Sequence, residues 1–174
     1  MPFDLPMFFA FIIAFAILAY VVMDGFDLGI GILFWRLQPG PHRDAAMNSV
    51  APVWDGNETW LVLGGGGLLA AFPLAYAIVL PALYAPLVAM LLALVFRGVA
   101  FEFRWRDPGH RRLWDLSFTL GSLTAALAQG VALVRPLLAG ELPPDALIHI
   151  MALLATTGVA FTIALHLTRR RLLK

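Results

Sequence analysis

The stretch LPMFFAFIIAFAILAYVVMDGFDLGIGILFW, residues 5–35, decides the fold class. Residues 5–23 carry no charge, and about 20 helical residues are enough to cross a hydrocarbon layer of roughly 30 Å. Further charge-free runs cover 59–96, 116–134 and 146–168. Across the 174 residues, 61% are apolar and only 13% charged, and the mean hydropathy is +0.85. This composition excludes most soluble enzymes and implies an integral membrane protein. No Lys or Arg precedes the first run and no small-residue cleavage site follows it, so the first span is expected to stay rather than leave as a signal peptide. The absence of cysteine excludes disulfides, thiolate-ligated clusters and covalent c-type haem attachment.

Working outward, the run 59–96 is too long for one helix, and Phe72-Pro73 interrupts it where a helix starting near Pro52 would already have crossed. The expected spans are 7–35, 52–72, 75–101, 115–135 and 147–168. Continuous apolarity favours helices over barrel strands, which alternate. The fold class is therefore all-α, a polytopic transmembrane helical bundle of about five spans. Arg36, Arg43, Arg104, Arg106, Arg111, Arg112, Arg169, Arg170, Arg171 and Lys174 fall on one side, with Arg135 alone bordering the other. The positive-inside rule then places the N-terminus outside and the C-terminus in the cytoplasm. Residues 136–146, with Gly140, Pro143 and Pro144, read as a short loop. Residues 1–174 are expected to form a single membrane domain.

Asp24 and Asp27 lie inside the first span, at depths of about 17 and 12 Å from its cytoplasmic end. Their spacing puts both carboxylates on one face, and Gly25, Gly29 and Gly31 beside them would let another backbone come close. Asp55 and Glu58 repeat the spacing near the start of the second span, among Trp54, Asn57 and Trp60. Arg97 is expected about one turn from the end of the third span and is the candidate counter-ion. Charge within a membrane costs at least about 2.5 kcal/mol per residue, so such a cluster is a functional hypothesis by default. Four acids against one arginine cannot all be compensated, which is the condition for a shared proton and a proton relay. The same groups also read as a network that only locks three helices together, with Asp55 and Asn57 capping the second helix.

Other signals are weaker. Gly64–Gly67 form a run that reads first as tight helix packing, and Pro81 and Pro86 should bend the start of the third span. His149 and His166 are too far apart to share a metal, and His42 and His110 fall in loops. No metal site is expected, and no nucleic-acid partner. Trp35, Trp105 and Trp114 near span ends fit an aromatic belt, and the basic tail fits a contact with anionic lipid.

The segments Met23-Asp24-Gly25-Phe26-Asp27-Leu28-Gly29, Asn48-Ser49-Val50-Ala51-Pro52-Val53-Trp54-Asp55-Gly56-Asn57-Glu58-Thr59-Trp60 and Phe96-Arg97-Gly98-Val99-Ala100-Phe101-Glu102-Phe103-Arg104, in this order, resemble subunit II of the cytochrome bd-type quinol oxidases. The resemblance covers about 7–115 closely and the last two spans loosely. Family members have about twice this length, with eight spans in two four-helix units. The resemblance thus implies a first four-helix unit at 7–135 and, at 147–168, the fifth span of an apparently truncated second unit.

The resemblance further implies a multi-pass protein of the prokaryotic plasma (inner) membrane and a partner, subunit I, that carries haems b and d and the quinol site. Small accessory subunits and membrane lipid are further partners. The complex would oxidise a membrane quinol, reduce dioxygen to water and draw protons from the cytoplasm. This chain would ligate no haem and would not act alone. Asp55 matches the family position associated with proton delivery; Asp24, Asp27, Asn57, Glu58 and Arg97 match neighbouring positions of the same polar path. Trp60 matches a tryptophan near a proposed oxygen-access route. On the residues alone, two other readings stay open, a proton-coupled transporter and a purely structural membrane scaffold.

Overall fold

Residues 4–138 are described by a computed structural model, and among them every regular element is helical. The elements are α1 (Leu5–Phe34), α2 (Pro41–Val50), α3 (Trp54–Ala71), α4 (Pro73–Ala82), α5 (Tyr84–Arg106), a 3-10 turn (Pro108–His110) and α6 (Arg111–Leu138). The expected span 147–168, the rest of the loop 136–146, His149, His166, Arg169, Arg170, Arg171 and Lys174 lie outside the described residues.

Local chemistry sets the boundaries. The Asp4 carboxylate accepts from the Met7 backbone N–H at 3.2 Å, capping α1 with Pro6 in its first turn. At the other end, Arg36 and Leu37 donate to the carbonyls of Leu33 and Phe34, tightening the last turn. Gly40 then takes φ +97°, a left-handed conformation that a side chain would oppose, and Pro41 opens α2. The short α2 was not foreseen from the sequence, where its charges read as a loop. It buries Arg43, Met47 and Val50.

The expected continuous span 75–101 is corrected. Two helices, α4 and α5, meet at Leu83. Pro86 has no N–H to donate to Ala82, and its ring crowds that carbonyl, so α5 cannot continue back into α4. The break therefore falls before Pro86, in place of a bend. At its other end α5 runs past the expected 101 to Arg106, so Arg97 is nine residues from that end, about 13 Å, deeper than the single turn expected.

Helix α1 is central, packing on α3 and on α6, and α5 lies along α6. Close approach explains part of the glycine pattern. A Cβ on Gly31 would collide with the Ser122 side chain, and one on Gly121 would sit 2.8 Å from the Ala93 carbonyl oxygen. Gly64 and Gly67 face Ile17 and Ile13 at 3.0 and 3.1 Å, whereas Gly65, Gly66 and Gly25 have open space beside them. Tight packing thus accounts for the first and last members of the run and not for Gly25.

The packing is inverted relative to a protein in water. Phe11, Val62 and Leu74 are at least 70% exposed, while Asp24, Asp27 and Arg97 are fully buried. Outward apolar and inward charged groups are stable when the surroundings are hydrocarbon. Helices α1 and α5 are each long and apolar enough to cross a membrane.

Candidate functional site

Between the Leu28–Met90–Ala125 and Phe34–Met47–Phe118 apolar clusters lies a charged one. Arg97 on α5 reaches Asp24 Oδ1 at 3.2 Å and Glu58 Oε1 at 2.9 Å through Nη1, and Asp27 Oδ2 at 3.6 Å through Nη2. Asn57 donates to Asp27 Oδ2 at 2.7 Å. The guanidinium also lies 5.7 Å from the centroid of Phe101, a ring that favours a cation over its face. Three helices therefore bring together Asp24, Asp27, Asn57, Glu58 and Arg97. Asn57 is not a cap; Val53 occupies the N-cap of α3 without a side-chain bond.

Asp55 departs from the expected convergence. It is exposed and makes no ion pair or side-chain hydrogen bond among the described residues. Its position follows from helix geometry, since each residue turns about 100°. With Asn57 aimed at α1, Asp55 two places earlier falls on nearly the opposite face. It lines a groove of about 390 Å³ between α3 and α5, with Trp54, Glu58, Leu94, Val95 and Gly98. Glu58 lines the same groove, and its side chain is 22% exposed while Asp24 and Asp27 are at 0%. Glu58 is thus the point where the buried cluster meets the surface. Trp60 sits across α1 and α3 with its ring edge-on to Phe15 at 5.8 Å.

Charge is uneven here. Three carboxylates face one guanidinium, so full ionisation would leave two uncompensated negative charges in a buried site. Asp24 Oδ2 and Asp27 Oδ1 are buried without a hydrogen bond. Two neighbours escaped the sequence reading. Tyr20 lies one turn before Asp24 and accepts from Gln129 Nε2 of α6 at 2.6 Å. Spacing of four from Asp24 could have revealed Tyr20; nothing in the sequence ties Gln129 to it.

A second cluster was read only as topology-setting charge. At the C-terminal end of α1, Arg43 pairs with Asp115 Oδ2 at 2.8 Å and Arg104 with Asp115 Oδ1 at 2.6 Å. Arg104 also reaches Asp44 at 2.8 Å. Arg43 donates to the carbonyls of Trp35 and Leu37, satisfying acceptors left free where α1 ends. Among the described residues no group of three His, Asp or Glu side chains could hold a metal ion.

Comparison with known proteins agrees with the motif order. The family model described as cytochrome bd terminal oxidase subunit II matches residues 5–168. Cytochrome bd-I ubiquinol oxidase subunit 2 of Escherichia coli is 38% identical over 119 residues, 67% of this chain and 31% of that protein. Cytochrome bd ubiquinol oxidase subunit 2 of Bacillus subtilis is 38% identical over 123 residues, 69% of this chain and 36% of that protein. The probable cytochrome oxidase subunit 2 of Haemophilus influenzae is 37% identical over 119 residues, 67% of this chain and 32% of that protein. The chain spans about a third of the length of these curated relatives. Since the family model matches residues 5–168 of its 174, the chain belongs to the family of subunit II of the cytochrome bd terminal oxidases.

Proposed function

We propose that this chain works in a membrane quinol oxidase that reduces dioxygen to water, and that its buried carboxylates pass protons toward that reaction. One observation carries the reading: three acids share a single sequestered arginine and open to a groove through Glu58, with Asp55 on the groove wall. A cluster with more acids than cations changes its proton content at low electrostatic cost, because gaining a proton relieves repulsion while Arg97 steadies the remaining charge.

In this reading Asp55 is the outer acceptor, Glu58 the entry to the interior, and Asp24 and Asp27 the inner sites, with Asn57 orienting Asp27. Helices α1, α3, α5 and α6 form a four-helix unit in a prokaryotic inner membrane, with the N-terminus outside and the basic helix ends toward the cytoplasm. The haems b and d and the quinol site belong to subunit I. Bound there, they would supply the electron transfer from quinol to dioxygen. The described histidines, His42 and His110, are exposed at helix ends. Trp60 flanks a route for oxygen along α1 and α3.

The test is Asp55→Asn and Glu58→Gln in the assembled complex, with the haem spectrum as the check on assembly. Quinol-dependent oxygen uptake is expected to fall by about a hundredfold, the lower end of the range for losing a positioned proton-transfer group. Unchanged uptake in both fully assembled variants would remove the proton role.

A further inference from the structure

The charged cluster does not end at Asp24. One turn toward the N-terminus of α1, Tyr20 is 3% exposed, and its oxygen accepts from Gln129 Nε2 at 2.6 Å. The phenolic proton has a poor outlet, since the Met90 sulfur is 4.0 Å away and thioether sulfur is a weak acceptor. Asp24 offers a better one. Its Oδ1 is taken by Arg97 at 3.2 Å, its Oδ2 is buried without a hydrogen bond, and the spacing of four residues sets the two side chains on the same face of α1.

We infer that Tyr20, oriented by Gln129, is a positioning residue for Asp24, serving as its inner hydrogen-bond partner in both of its protonation states. A hydroxyl suits that task because it carries one donor and two acceptor lone pairs. Gln129 occupies one lone pair. Toward a charged Asp24 the phenol donates to Oδ2; toward a protonated Asp24 its second lone pair accepts the carboxyl proton. Tyr20 keeps its own proton throughout, and only the rotation about its C–O bond changes. Oδ2 of Asp24 then keeps a partner in either state, and the phenolic proton, left to the weak Met90 sulfur when the carboxyl is protonated, bears the lesser loss of a neutral donor. The polar path thereby extends from Glu58 past Arg97 and Asp24 to α6. This inference rests on the proton-relay reading above.

The test uses infrared difference spectra and oxygen uptake of the assembled oxidase complex, with intact haem spectra. The carboxyl band lost in Asp24→Asn identifies that group. Tyr20→Phe is expected to displace this band and slow oxygen uptake by about tenfold or more, the scale of one hydrogen bond to a charged group. Gln129→Leu, which leaves the phenol in place, is expected to do the same to a smaller degree, and it decides the matter should Tyr20→Phe not assemble. A merely structural Tyr20 would leave the Asp24 band where it was. If Asp24→Asn slows turnover but neither variant moves the band or the rate, the inference falls and the relay stands. If Asp24→Asn turns over normally, the relay falls and the inference with it.

Discussion

Around Arg97, three carboxylates share one guanidinium, whereas at the C-terminal end of α1 two carboxylates, Asp44 and Asp115, are shared by Arg43, Arg104 and Arg111. Both clusters join helices far apart in sequence, and both place an arginine near an aromatic ring. They differ in what is left over. The Arg97 cluster holds excess acid and opens into a groove; the other holds excess base and spends its spare donors on backbone carbonyls. An excess of acid invites a change in proton content, and carboxylates outnumbered by arginines have no reason to take up a proton. The difference suggests a working site beside a structural clasp.

The sharpest way to break this comparison is Arg97→Met. It strands three buried acids, and the expected loss is at least the 3–5 kcal/mol typical of removing one partner from a buried pair. Thermal unfolding in detergent would show it, and adding Asp24→Asn and Glu58→Gln should restore much of the loss. In the basic cluster, Asp115→Asn should cost about 3 kcal/mol, read by the same melt. There the joint replacement Arg43→Met with Asp115→Leu should cost no more than the single change, because neither of these two groups is then left charged and unpaired. A smaller effect tests the framework that holds the clusters in register. Gly31→Ala drives a methyl into Ser122 and should cost about 1–3 kcal/mol, while Gly65→Ala, beside open space, should not destabilise.

The smallest effect is a pH response outside the spans. Asp107 is held below the ordinary carboxylate range, chiefly by its contact with His110 at 2.9 Å and further by Trp114. Its lowered value means that the stabilisation is complete above the unfolded value near 3.8 and fades as pH falls through the folded value. Asp107→Asn should therefore melt slightly earlier at neutral pH and match the parent protein in strong acid.

Much of the fold was legible because hydrocarbon imposes a simple code. Residues 5–23 announce α1, and the paired acids mark the face it buries. What escaped the sequence has physical causes. The polar composition of α2 reads as loop until its buried Arg43 is seen to bond the end of α1. Pro81 and Pro86 signal irregularity, but whether a helix bends or breaks depends on which carbonyl the ring crowds. Asp55 shares its spacing with Glu58, yet spacing fixes only relative angle; the packing of Asn57 on Asp27 decides which of the two acids turns inward. Asp115 borders an apolar run and looked like a span end, whereas α6 starts a turn earlier at Arg111. Tyr20 was hidden among apolar neighbours, because a phenol counts as apolar until a partner such as Gln129 is known.

Arg43 has a mechanical consequence as well. By gripping the carbonyls of Trp35 and Leu37 while bound to Asp115, it welds α1, α2 and α6 into one block at that end. Interruptions of the helical backbone at Phe72 and Leu83 fall on the other side of the bundle. Arg104 ties α5 to the same block through Asp44 and Asp115, so any rocking at those interruptions would carry α4 and the adjoining ends of α3 and α5 and leave the acids of α1 and their arginine in place.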